Sequence, residues 1–210
     1  MDIAIRHGVT IRGRIVGPDN RPVDDVRMVS RHFLGFNNDR ESPIRVKDGQ
    51  FELHGLDPEV AVPFYFLDAK NELGATAEIS GKSADAVPLV VHLQPCGKAV
   101  ARFVDPEGKP QAKQSPCATF LISPERIGAA GKHSPDVWED LEFMANVDPE
   151  HHGYNQLTDD DGKFTFLALI PGATYKVLFG EPYRLDAKDF SVKSGETLRL
   201  PDIVISEPAP

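Results

Sequence analysis

Residues able to bind a metal or move a proton crowd into one stretch of this chain: His133, Asp136, Glu139, Asp148, Glu150, His151 and His152. Imidazoles and carboxylates suit zinc or iron. Their spacing does not. No His-Glu-x-x-His or His-x-x-x-His pair exists to set two imidazoles on one helical face. Neighbouring His151 and His152 on a strand would point to opposite sides. His133, His151 and His152 are thus poorly spaced metal candidates, the stretch reads as a solvated polar loop, and no metal or other cofactor is expected.

Asp159-Asp160-Asp161-Gly162 brings three carboxylates together, as a hard cation would want. The remaining ligands of a calcium loop are missing, and Lys47-Asp48-Gly49 elsewhere in the chain shares only the Asp-Gly. That common pair is explained by a tight turn. Tyr154, Tyr175 and Tyr183 raise the question of an iron site, but the His-x-His pair that would complete it is absent. There is no Gly-x-Ser-x-Gly elbow, phosphate loop or Cys-x-x-Cys. Serines, histidines and aspartates without spacing do not make a triad. The chain is expected not to be an enzyme.

Cys96 and Cys117 flank a turn at 106–109, so a hairpin there would bring them face to face. A disulfide, suited to an oxidising compartment, and two thiols both remain open. Trp138, Phe143 and Met144 form an apolar group that either folds back as a lid or faces a partner. If this stretch binds a ligand, Trp138, Phe143 and Tyr154 are the side chains expected to do so.

Bulk properties narrow the partners. A net charge of −9 over 210 residues opposes binding to nucleic acid or an anionic membrane face. No apolar run approaches the roughly 18 residues of a membrane span. Gly 17 and Pro 18 suit short strands joined by tight turns.

The elements that must position these residues are written twice. Arg14-Ile15-Val16-Gly17-Pro18-Asp19-Asn20-Arg21-Pro22 returns 88 positions later as Arg102-Phe103-Val104-Asp105-Pro106-Glu107-Gly108-Lys109-Pro110. Asp48-Gly49-Gln50-Phe51-Glu52-Leu53 returns 113 positions later as Asp161-Gly162-Lys163-Phe164-Thr165-Phe166. Such self-similarity marks repeated domains. Val9, Ile11, Gly13 and Ile15 alternate as a half-buried strand does, and so do Phe51 and Leu53, and Phe164 and Phe166. Pro18-Asp19-Asn20 is a turn, with Asn20 tolerating positive φ. The spacing of 113 is expected to run on through Ile79 and Val192 to Val91 and Val204.

Two domains follow, 1–94 and 95–210, each long enough to bury a core. The change from 88 to 113 marks an insertion of 25 residues in the second copy, at about 123–156. Ser134-Pro135 reads as the start of a short helix with acidic residues near its N-terminus. Ile3 and Ile5 alternate as Val91 and Leu93 do 88 positions later. The segment is therefore expected to open inside a strand of a longer protein.

The run Gly-Arg-Ile-Val, Pro-Asp-Asn-Arg-Pro-Val, then Asp-Gly-x-Phe-x-Leu-x-Gly-Leu resembles the carboxypeptidase regulatory-like domain over nearly all of both copies. The resemblance implies two tandem seven-stranded antiparallel Greek-key β-sandwiches, transthyretin-like or Ig-like, with a long partly helical insertion in the second. It further implies a non-enzymatic structural, adhesion or spacer module of a larger bacterial protein, extracellular, periplasmic or on the cell surface. The alternative is a module that binds a carbohydrate or peptide through the insertion, and a third reading is a metal-dependent enzyme at His133, His151 and His152. A protein or a carbohydrate is thus the expected partner, and the oligomeric state stays open.

Overall fold

The computed structural model describes residues 8–30, 46–82, 88–121, 144–145, 156–179, 184–185 and 188–205. The chain divides into two compact units, Met1–Gln94 and Pro95–Pro210. The described residues hold strands and turns and no α-helix.

The first unit contains β1 (Val9–Val16), β2 (Arg27–Ser30), β3 (Gln50–Leu56), β4 (Val62–Asp68), β5 (Leu73–Ile79), β6 (Leu89–His92) and, at its boundary, β7 (Gln94–Pro95). One sheet runs β3-β1-β6 and the other β2-β4-β5, with the two-residue β7 outermost. Alternation sorts β1: Ile11, Gly13 and Ile15 are buried, whereas Thr10, Arg12 and Arg14 are exposed. The inward residues of both sheets meet in one cluster that includes Ile11, Ile15, Met28, Phe51, Leu53, Phe64, Phe66, Ile79 and Val91. Phe51 from one sheet and Phe66 from the other have ring centroids 5.8 Å apart. Each such buried ring contributes roughly 2–3 kcal/mol.

The second unit contains β8 (Gly97–Val104), β9 (Cys117–Leu121), β10 (Met144–Ala145), β11 (Lys163–Leu169), β12 (Thr174–Phe179), β13 (Arg184–Leu185), β14 (Phe190–Ser191), β15 (Thr197–Arg199) and β16 (Ile203–Val204). Its sheets run β11-β8-β15, with β16 also on β8, and β10-β9-β12-β13, with β14 also on β12. The first sheet supplies Ala99, Ala101, Phe103, Phe164 and Phe166 to the buried interior, and the second Ala118, Tyr175, Val177 and Phe179. Phe103 and Phe179 meet across them edge to face at 6.1 Å.

Several sequence expectations are corrected. The sandwiches are not wholly antiparallel, because β6 pairs parallel with β1, and β15 and β16 pair parallel with β8. β6 and β15 each follow a strand of the opposite sheet, and alternation carries no information about strand direction. The second unit is divided into more and shorter strands than seven, four of them two residues long. Met144, within the insertion, lies in β10, which pairs antiparallel with β9. The short helix expected from Ser134-Pro135 lies outside the described residues.

The spacing of 113 also stops short of the end. Val91 faces Ile15 and Ile203 faces Phe103, so the last strands are equivalent at a spacing of 112. The hydrogen bonds Leu93 N–H to Val16 O and Ile205 N–H to Val104 O, both 2.8 Å, keep that spacing. Ile79 and Val192, both buried, still stand 113 apart. One residue is missing from the connection that follows. A register error of one would turn every side chain to the wrong face.

Candidate functional site

The two repeated signatures lie against each other. In the first unit Ile15 N–H donates to Gly49 O at 2.7 Å and Val23 N–H to Ile15 O at 3.2 Å. In the second, Phe103 N–H donates to Gly162 O at 2.8 Å and Gln111 N–H to Phe103 O at 2.9 Å. At Gly49 (φ +65) an added Cβ would sit 2.7 Å from Pro22 Cβ and 2.9 Å from Ile15 O. At Gly162 (φ +73) it would collide with Phe103 O. Positive φ and close approach both demand glycine.

The acidic run beside Gly162 is committed to that turn. Asp159 Oδ1 accepts from Asp161 N–H at 3.0 Å and from Lys163 N–H at 2.7 Å. Asp161 Oδ2 lies 3.2 Å from Lys163 Nζ. The copies solve the turn differently. Lys47 and Gln50 exchange two backbone hydrogen bonds around Asp48 (φ +52) and Gly49, a two-residue hairpin. Asp159 and Lys163 enclose three residues with Gly162 alone at positive φ. Both are favoured hairpin geometries. Among the described residues no group of three or more His, Cys, Asp or Glu converges as a metal site would require.

The insertion is fixed at two places. Where the chain leaves β9, β10 returns along the edge of that strand, pairing Met144 with Leu121 and Ala145 with Phe120. Thr158, buried, holds the far end. Its Oγ1 donates to Gln111 O at 2.8 Å and accepts from Gln114 N–H at 3.0 Å, and Thr158 N–H donates to Gln114 O at 2.9 Å. Nothing in the sequence singled Thr158 out, because its partners are 44 and 47 positions away. Trp138, Phe143, Tyr154, His133, His151 and His152 lie outside the described residues, as do Asp136, Glu139, Asp148, Glu150 and Tyr183.

Cys96 and Cys117 are thiols, not halves of a disulfide. The expected hairpin between their strands does not form, since β8 and β9 belong to different sheets. Tyr175 is a core residue: its hydroxyl oxygen accepts from Ile170 N–H at 2.7 Å, and its ring stacks on Phe190 at 5.6 Å. Lys176 is a charge that sequence reasoning missed. Its side chain is only 3% exposed, with Nζ 2.6 Å from Asp189 Oδ1. Tyr175 and Val177 on either side are buried as well, so β12 is covered on both faces there.

Two sheets facing one another in each unit define an all-β protein of two sandwich units. No family model and no curated protein matches the chain. Among solved structures it is similar to the Bacillus anthracis TIE protein, at 12% identity and a TM-score of 0.32, covering 96% of this chain and 34% of that one. It is similar to the streptococcal ancillary pilin, at 12% identity and a TM-score of 0.36, covering 96% of this chain and 63% of that one. With the shaft pilin SpaA of Lactobacillus rhamnosus GG the identity is 11% and the TM-score 0.32, with 97% and 99% covered. The chain thus spans about a third of the first of these proteins and less than two thirds of the second.

Proposed function

We propose that this chain is a tandem of carboxypeptidase regulatory-like domains, 1–94 and 95–210, serving as a non-enzymatic structural or spacer module of a larger bacterial cell-surface or secreted protein. The observation that supports this reading is how aspartates among the described residues are used. Asp19, Asp57, Asp68, Asp105 and Asp159 each accept backbone N–H groups that hold a turn. Thr158 and Tyr175 hold backbone likewise. Side chains so engaged build scaffold. Elemental analysis of purified protein tests this reading together with melting of a Trp138→Ala, Phe143→Ala, Tyr154→Ala variant. The expected results are no stoichiometric metal and an almost unchanged melting temperature. Stoichiometric zinc or iron lost on His133→Ala would overturn it.

The two fixed points of the insertion support a second reading, recognition of a carbohydrate or peptide. A long loop held at both roots on a rigid sandwich is a common place for a binding site. A glycan and peptide array decides it: hits that vanish in the triple variant support it, and an identical profile for both proteins ends it.

A further inference from the structure

In each unit the first described strand runs parallel to a neighbour from the unit's C-terminal part. In the first, Gly13, Arg14, Ile15 and Val16 of β1 stand opposite Leu89, Val90, Val91 and His92 of β6. Leu93 N–H donates to Val16 O at 2.8 Å just beyond them. In the second, Lys98, Ala99 and Val100 of β8 face Thr197, Leu198 and Arg199, and Phe103 and Val104 face Ile203 and Val204. Lys98 N–H to Glu196 O (2.8 Å), Leu200 N–H to Val100 O (2.9 Å) and Ile205 N–H to Val104 O (2.8 Å) extend this pairing at both ends. Arg102 Nη1 reaches Asp202 Oδ2 at 3.2 Å across the same seam.

Direction decides what tension does to such a pair. The chain runs into β1 and β8 at their starts and runs on from the ends of β6 and β16. Because the paired strands run parallel, pulling on the unit's ends drives them past each other along their length. The bridging hydrogen bonds are then loaded together, in shear. In an antiparallel pair both ends lie at one edge, and the bonds open one at a time. Neither first strand can peel away, since β1 is also paired to β3 and β8 to β11.

We propose that both units are load-bearing, with β1·β6 and β8·β15·β16 acting as shear clamps against tension along the chain. This deepens the structural reading above and rests on it. A clamp acts on the unfolding rate under force, not on the equilibrium stability.

The test is single-molecule force spectroscopy on the full chain. With handles at both termini, two unfolding events are expected, each several-fold higher in force than the first event with handles at Ala61 and Ser80. Those positions flank the antiparallel pair Val62 and Ile79, which that pull opens from one end. Equal forces in the two geometries would overturn the proposal. Ile205→Pro, which removes a donor of the clamp, is expected to lower the force of one event well below that of Val177→Ala, a core change in the other sheet. Equal forces for variants of equal thermal stability would also overturn it. If Ile205→Pro does not fold, the two pulling geometries on the unaltered chain decide. Low force in both geometries, with no metal or ligand bound, would end the clamp and leave the structural reading standing.

Discussion

Gly55 and Ala168 stand 113 residues apart at the same place in their units and share a left-handed backbone, with φ of +75 and +50. Each sits in a β-bulge. Between Leu53 and Leu56 the register against β1 shifts from Ile11 to Val9, and between Phe166 and Leu169 that against β8 shifts from Ala99 to Gly97. An added Cβ at Gly55 would meet nothing within 4 Å, so Gly55→Ala isolates backbone strain. Urea denaturation should show a loss of about 1 kcal/mol. Ala168→Gly relieves the same strain but loses a buried methyl group, and should change stability by less than about 1 kcal/mol.

Ser30 and Ala118 form a second matched pair, 88 apart, opposite Phe64 and Val177 in their sheets. Ser30 is fully buried, and its Oγ has no hydrogen-bond partner among the described residues. A buried hydroxyl left unsatisfied is destabilising. Ser30→Ala should therefore stabilise the first unit by about 1 kcal/mol, read as a higher urea midpoint.

The contact between the two signatures makes glycine obligatory at Gly49 and Gly162. Gly49→Ala and Gly162→Ala should each destabilise their own unit by about 2–4 kcal/mol, from positive φ and steric overlap together. Gly108 is also at positive φ (+82), but an added Cβ there meets nothing within 4 Å. Gly108→Ala should lose only about 1 kcal/mol. Parallel thermal melts of the three variants check the difference.

The buried cation of β12 makes a prediction with two arms. Asp189→Ala takes a carboxylate from an ammonium that is almost wholly out of water, and should lower stability by roughly 2–3 kcal/mol. That figure is reduced from a fully buried pair because Asp189 is 48% exposed. Lys176→Met removes the charge and keeps most of the volume, and should lose less. Chemical denaturation of both variants at neutral pH gives the comparison.

Tyr175→Phe leaves Ile170 N–H buried without its hydroxyl acceptor. A loss of about 1–2 kcal/mol is expected in the same denaturation experiment.

What the sequence determined is local. Pro18-Asp19-Asn20 and both Asp-Gly pairs announced their turns because φ at Asn20, Gly49 and Gly162 restricts the residue types there. Alternation along Ile11, Gly13 and Ile15 announced a buried face for the same reason, since a strand repeats every two residues. These features carried the count of two copies and the place of the insertion. The tertiary structure decided what depends on residues far apart. The bulge at Ala168 has no glycine to advertise it, and the parallel pairing of β6 on β1 leaves no trace in either strand's composition. The slip from 113 to 112 shows only when Ile203 is seen opposite Phe103. That Cys96 and Cys117 do not flank a hairpin depends on β8 and β9 joining different sheets. The burial of Lys176 depends on what covers the second face of β12. Turn chemistry is written in one or two residues, whereas sheet partnership and coverage are properties of the whole packed chain.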